Sequence, residues 1–206
     1  MPDEQVREIS SGFEVGGHTL NHVVLNGLTS SDAQRQIDGS KRWLEDVTGR
    51  ECTAFCPPLG RFGTEHLPMI RRAGFRVART VELLSVDYPR PREGLFLVPT
   101  SVQAHPHGAW SYTKNALRRR SARNLWRCAV DGRSKDWVRL SRALLERVLK
   151  HGGVFHLWGH SWEIEEFGQW AQLEEVLGIL RSNTAPACRI RNGALAGNAA
   201  VSAVSR

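Results

Sequence analysis

Two histidines four residues apart, His18 and His22, lie in Gly16-Gly17-His18-Thr19-Leu20-Asn21-His22, directly after the apolar alternation Phe13-Glu14-Val15. Imidazole nitrogens suit zinc and its neighbours, and a catalytic zinc site takes about three protein ligands while keeping one position open for water. The pair therefore supplies two thirds of such a site. On a helix this spacing would bring both rings to one face. The glycine doublet before them and Gly27-Leu28-Thr29 after them favour instead a loop or a single turn at the end of a strand. An isolated H-x-x-x-H can equally be two surface or hydrogen-bonded histidines, so other parts of the chain must decide.

The elements that would position such a pair can be read in order. Residues 1–11 form the end of a helix with Val6 and Ile9 as its apolar points, and they lead into a short strand at 13–16. A helix starts at the N-cap run Thr29-Ser30-Ser31-Asp32, carries Ile37, Trp43, Leu44 and Val47, and stops at Gly49. Residues 52–56 are β-compatible and are ended by Pro57-Pro58, which makes 59–63 a shaped loop. Thr64 can cap a short helix that closes at Gly74, with a strand at 75–78, a loop at 85–94 and a strand at 95–98. Residues 112–130 and 134–151 read as two helices separated by Asp131-Gly132, and Gly152-Gly153 ends the second. A buried-type strand at 154–158 runs into Gly159-His160-Ser161-Trp162-Glu163, and a last helix begins near Phe167. Alternating strands and helices predict an α/β fold with a mainly parallel sheet, open or barrel-like. Chemistry in such folds gathers at the C-terminal ends of strands. That rule selects His18 with His22, the Pro57-Pro58 loop, and His160.

Composition limits the function classes. A chain of 206 residues can bury a sizeable core, and the predicted organisation is one domain over 1–182 with a C-terminal tail over 183–206, frayed from Ala194 on. No apolar run approaches the ~20 residues of a membrane span. The first residues lack a basic region followed by an apolar one, so the chain as given reads as cytoplasmic. Cys52, Cys56, Cys128 and Cys188 are too few and too scattered for a disulfide scaffold and are expected to be free, buried thiols. The net charge of +7 favours anionic partners, and part of the excess is concentrated in Arg118-Arg119-Arg120 with Lys114, Arg123 and Arg127 nearby. No nucleic-acid motif accompanies that cluster, so a solvated helix face is the favoured reading and a nucleic-acid partner is disfavoured.

Taken together, the three strand-end places resemble the polysaccharide deacetylase family, carbohydrate esterase family four, whose domain is shared by the nodulation-type chitooligosaccharide deacetylases. His18-Thr19-Leu20-Asn21-His22 is similar to the family's H-[ST]-x-x-H motif. Cys56-Pro57-Pro58-Leu59-Gly60 is similar to R-x-P-[YFW]-G, with the arginine replaced by Cys56. Leu157-Trp158-Gly159-His160 is similar to the late histidine motif. The match spans residues 13 to about 180. The family's T-F-D-D-G motif, which supplies a metal-binding aspartate and a general base, has no counterpart before His18, and Asp3 and Glu4 do not take over those roles.

The resemblance implies a distorted, incomplete (β/α) barrel of the polysaccharide deacetylase type, missing the first βα unit. The implied activity is metal-dependent removal of N-acetyl groups from a polysaccharide or glycan, impaired as the chain stands. His18 and His22 would be ligands of a divalent metal, zinc in the first instance, and His160 would be the general acid, a task that suits imidazole. Glu163 could orient His160. Trp158, Trp162 and Pro58 would contact the substrate, an N-acetylated or anionic glycan, although core packing is an equally good reading of the two indoles. His105 and His107, in the loop after the strand at 95–98, are expected to be solvent histidines before substrate-lining ones. The alternative function is a catalytically inactive glycan-binding or structural remnant of the same fold.

Overall fold

Helix α2 (Ser30–Thr48) forms where the sequence announces it. The Thr29 hydroxyl accepts from the Asp32 amide at 3.2 Å, and Gly49 ends the helix in the left-handed conformation. The computed structural model describes residues 1–130 and 136–197, which fall into two compact units.

The first unit comprises Met1–Thr80, Pro89–Val98 and the described residues from Ile190 on. It holds α1 (Asp3–Gly12), α2, β1 (Ala54–Phe55), α3 (His66–Arg72), β2 (Val77–Arg79), β3 (Arg90–Arg92) and β4 (Leu95–Val98). The sheet is open and mixed, in the order β1-β2-β4-β3, with β1, β2 and β4 parallel and β3 antiparallel to β4. Strand β3 and the hairpin turn fall within the stretch read as a loop, whereas β4 is the strand expected at 95–98. The hairpin turns on Glu93 and Gly94, both at positive φ (51° and 75°), as tight hairpin turns require. Leu25, Ile37, Phe55, Leu67, Ile70 and Leu95 are fully buried in one core between the sheet and the helices.

The strand expected at 13–16 is not a ladder strand. The backbone is extended, and the sheet contact of this stretch is a single parallel bridge, Gly17 to Phe55. Phe13 is 72% exposed, so the alternation leaves Val15 alone to face the core and has too little to bury to hold a longer pairing.

The second unit comprises Val81–Tyr88 and Pro99–Arg189, with residues 131–135 outside the described set. A two-stranded parallel pair, β5 (Val102–Gln103) and β6 (Leu157–Trp158), sets Val102 opposite Leu157 and Gln103 opposite Trp158. Around it lie α4 (Ala109–Arg118), α5 (Ala122–Val130), α6 (Trp137–His151), α7 (Ser161–Glu166) and α8 (Trp170–Asn183). Tyr112, Trp137, Leu140 and Leu144 are fully buried in its core. The single helix expected over 112–130 is two. Arg120 takes φ 52°, and the Ser121 amide bonds back to the Ala116 carbonyl, which closes α4. Helix α6 starts at Trp137 because the Asp136 carboxylate accepts from the Val138 and Arg139 amides, both at 3.0 Å. The Asp131-Gly132 separator lies outside the described residues.

Two further expectations change. Within the basic cluster Arg127 is 5% exposed, donating to the Leu84 carbonyl and the Asn124 side chain and pairing with Asp87, so that side chain is structural and not solvated. In the stretch expected to be a tail, the Asn192 and Gly193 amides donate to the Glu14 carboxylate at 2.6 and 2.7 Å, and Leu195 is 4% exposed. Residues 198–206, the outer part of that tail, lie outside the described set. All four cysteines are free, with Cys52 and Cys128 buried, Cys56 half-buried and Cys188 exposed.

Candidate functional site

The sequence-selected residues form two groups, one in each unit. In the first unit, Gly17 brings the histidine loop to the end of β1. Its amide donates to the Ala54 carbonyl (2.9 Å) and its carbonyl accepts from the Cys56 amide (2.8 Å). The loop beyond is held to α2: the Leu20 amide donates to the Gln36 carbonyl, and the Asn21 amide to the Gln36 side chain, both at 3.0 Å. Thr19 and His22 both take positive φ, 58° and 54°. For Thr19, β-branched and 6% exposed, this is a strained conformation of the kind that persists only where surrounding contacts enforce it.

That loop sets His18 and His22 with ring centroids 4.9 Å apart. His18 Nδ1 lies 2.5 Å from the Cys56 carbonyl oxygen. A carbonyl only accepts, so Nδ1 carries the hydrogen, and a neutral His18 keeps its lone pair on Nε2. This is the arrangement by which a ligating histidine is oriented through its second nitrogen. His18 is half-buried and His22 exposed. The pair fits two positions of a metal site. Among the described residues, no group of three or more His, Cys, Asp or Glu side chains is gathered closely enough to hold an ion.

The Pro57-Pro58 loop is a single 3-10 turn over Pro58–Gly60 in which Pro58 is buried. Leu59, at φ 55°, is exposed. At the place of the motif's arginine, burial pushes the Cys56 thiol up, against the pull of the Arg79 guanidinium. Arg79 was not singled out by sequence reading. It ends β2, is buried, and donates from Nε to the Asn192 side chain at 2.9 Å. Burial lowers it to about 9, with Cys56 and Glu14 acting in the opposite direction. A cation closing the apolar strand Val77-Ala78-Arg79 was the available signal.

In the second unit, His160 follows β6 and precedes the first turn of α7, which carries Glu163. His160 Nδ1 and Glu163 Oε2 are 2.7 Å apart. Trp162, 60% exposed, stacks on the His160 ring with centroids 5.4 Å apart and an interplanar angle of 27°, while Trp158 meets that ring edge-on at 5.0 Å. His105 and His107 are not solvent histidines. Both are half-buried, with centroids 4.6 Å apart; His105 stands edge-on to Phe167, and His107 edge-on to Tyr112. His105 Nδ1 is 4.0 Å from Glu163 Oε1. Burial first, then the neighbouring His105, lowers His107 to about 4, against the pull of Glu163.

Part of the chain is similar to known proteins. Residues 1–78 match the polysaccharide deacetylase family model. YxkH of Bacillus subtilis (strain 168), provisionally assigned as a polysaccharide deacetylase, is 29% identical over 83 residues, which is 40% of this chain and 30% of that protein. The peptidoglycan-N-acetylmuramic acid deacetylase PdaC of the same organism is 31% identical over 64 residues, covering 31% of this chain and 14% of that protein. The chain thus aligns with less than a third of the length of either relative. A crystal structure from Mycobacterium smegmatis, also provisionally assigned as a polysaccharide deacetylase, superposes with a TM-score of 0.64 at 17% identity, covering 98% of this chain and 68% of that one. That likeness is one of fold. Among the described residues no helix is long and apolar enough to cross a membrane. Over residues 1–78 the chain is thus similar to the polysaccharide deacetylases, and its open mixed α/β fold is that of the Mycobacterium smegmatis structure.

Proposed function

We propose that the chain carries the metal-holding pair and the proton-donating group of a hydrolase that removes N-acetyl groups from a glycan. The observation that carries this reading is the His18 ring, oriented through Nδ1 on the Cys56 carbonyl, with the His22 ring centroid 4.9 Å away. His18 and His22 would hold a divalent ion, zinc in the first instance, which supplies polarisation of the acetyl carbonyl and a water that ionises near neutral pH. The candidate proton donor is His160 in the second unit. Glu163 holds the Nδ1 hydrogen of His160, so protonated His160 has its transferable proton on Nε2, where it would pass to the departing amine. Trp162, exposed beside His160, offers an indole face to a sugar ring, with Trp158 at the edge.

A second reading is favoured by the incomplete ligand set among the described residues: a glycan-binding module without turnover. Elemental analysis for zinc, amine release from an N-acetylated oligosaccharide, and binding of the same oligosaccharide separate the two. Bound zinc with amine release supports the hydrolase. A folded protein that binds the oligosaccharide, with neither zinc nor release, supports the binding module. A folded protein with none of the three properties overturns both. In an active protein, Glu163→Gln lowers turnover while the zinc content stays unchanged, and full activity would remove Glu163 from the orienting role.

A further inference from the structure

The hydrogen-bond chain that begins at His160 does not end at Glu163. Glu163 Oε2 also accepts from Gln103 Nε2 at 3.2 Å, and Gln103 Oε1 lies 2.8 Å from His107 Nε2. Donor and acceptor roles then fix every member. An ionised carboxylate only accepts, so His160 presents a hydrogen on Nδ1 and Gln103 presents its NH2 group. An amide oxygen only accepts, so His107 presents a hydrogen on Nε2. Turning the Gln103 amide over would set its NH2 against the His107 N–H and its oxygen against the carboxylate, which makes the chain directional.

The far end of the chain is packed against the core of the second unit. Gln103 is buried in β5, opposite Trp158 in the register, and the His107 ring is edge-on to the fully buried Tyr112. The near end is His160, with 39% of its side chain exposed. The position of a half-exposed ring is thereby set from the interior of the second unit.

We infer that Gln103 and His107 are positioning residues, which through Glu163 hold neutral His160 in its Nδ1–H tautomer and leave Nε2 as the nitrogen that exchanges a proton. This rests on the proposed hydrolase only for its catalytic consequence, since the tautomer is a property of the folded chain.

The test is long-range 1H–15N correlation of the histidine rings in the 15N-labelled full chain, which reports the protonated nitrogen of each ring. In the wild type, neutral His160 is Nδ1–H and His107 is Nε2–H; the opposite tautomer on either ring overturns the inference whatever the variants do. Gln103→Met keeps the side-chain length and removes both hydrogen-bonding ends. It is expected to convert His160 to a mixture of tautomers with folding intact by circular dichroism. His107→Phe keeps the aromatic contact with Tyr112 and is expected to produce a smaller change in the same direction. A folded Gln103→Met with an unchanged His160 tautomer overturns the role of Gln103, and a folded His107→Phe without any change overturns that of His107. Where the wild type releases amine, Gln103→Met lowers kcat and leaves KM in place. Where it does not, the hydrolase reading fails while the tautomer result still decides this one.

Discussion

Gly17 is the residue on which the histidine loop turns, and Gly17→Ala measures how tightly it is held. A Cβ built there lies 2.7 Å from Phe75 Cζ and 2.9 Å from Phe55 Cδ2. Carbon atoms attract best at about 3.5–4.0 Å, so each ring would have to retreat by about 0.6 Å or more. Neither has free space: both are almost fully buried, and they pack against each other with centroids 5.1 Å apart. The backbone cannot yield instead without giving up the bond to the Ala54 carbonyl or the one from the Cys56 amide. Overpacking costs about 1–3 kcal/mol and a lost hydrogen bond about 1 kcal/mol, so Gly17→Ala should destabilise the first unit by about 2–4 kcal/mol. The contrast is Gly178→Ala in α8, where a Cβ meets nothing within 4 Å and the helix should gain about 0.5–1 kcal/mol. Because the chain has two units, a single unfolding midpoint can mix them, and amide exchange reads the effect locally. The Cys56 amide, bonded to the Gly17 carbonyl, should lose about 30-fold or more in protection if the loss approaches 2 kcal/mol. Unchanged protection at Cys56 in Gly17→Ala would refute the close-approach argument.

Two further outcomes follow from buried polar groups. His107 titrates at about 4 in the folded chain against an ordinary value of 6.5, so the unfolded chain binds the extra proton between these pH values. Its contribution to stability is present above about pH 6.5 and lost as the pH falls toward 4. Urea titrations at pH 7, 5.5 and 4.5 should show a smaller loss in His107→Phe than in the wild type, and parallel losses would contradict the assignment. Glu14→Gln exchanges a carboxylate that accepts two backbone amides, from Asn192 and Gly193, for a group that can accept through one oxygen only. The expected cost is about 1.5–3 kcal/mol, seen as faster proteolysis and exchange in residues 190–195 with little change in the second unit; equal rates in both proteins would count against that tie.

Elements set by local chemistry were legible in the sequence. Thr29 and Gly49 bound α2 through a side-chain cap and a left-handed glycine, and Pro57-Pro58 ends β1, all within a few residues of the bonds that matter. What failed depended on partners distant in sequence. Residues 90–92 read as loop because Pro91 has no amide to donate, yet an edge strand tolerates it when the pairing partner is β4 on one side alone. The break between α4 and α5 at Arg119 to Ser121 has no glycine or proline to announce it. The Phe13 alternation mimicked a strand whose outer residue faces water.

The site divides along the same line. His18 and His22 are legible as a pair because their motif is short and local, although the strand expected before it is only a single bridge. Their orientation could not, because the Cys56 carbonyl that fixes the His18 ring lies 38 residues away and carries no side-chain signal. Glu163 was accessible as the third residue after His160 on one helical turn. Gln103 and His107, about 60 residues earlier, enter through the parallel pairing of two two-residue strands that no periodicity reveals. His107 in particular was assigned to solvent because a His-Pro-His loop has no apolar pattern. Its burial comes from Tyr112 and Gln103, and a histidine buried in that way is kept neutral by desolvation. Burial thus keeps His107 neutral with one ring hydrogen, and the Gln103 amide, whose NH2 must face the Glu163 carboxylate, turns its oxygen to His107 and places that hydrogen on Nε2.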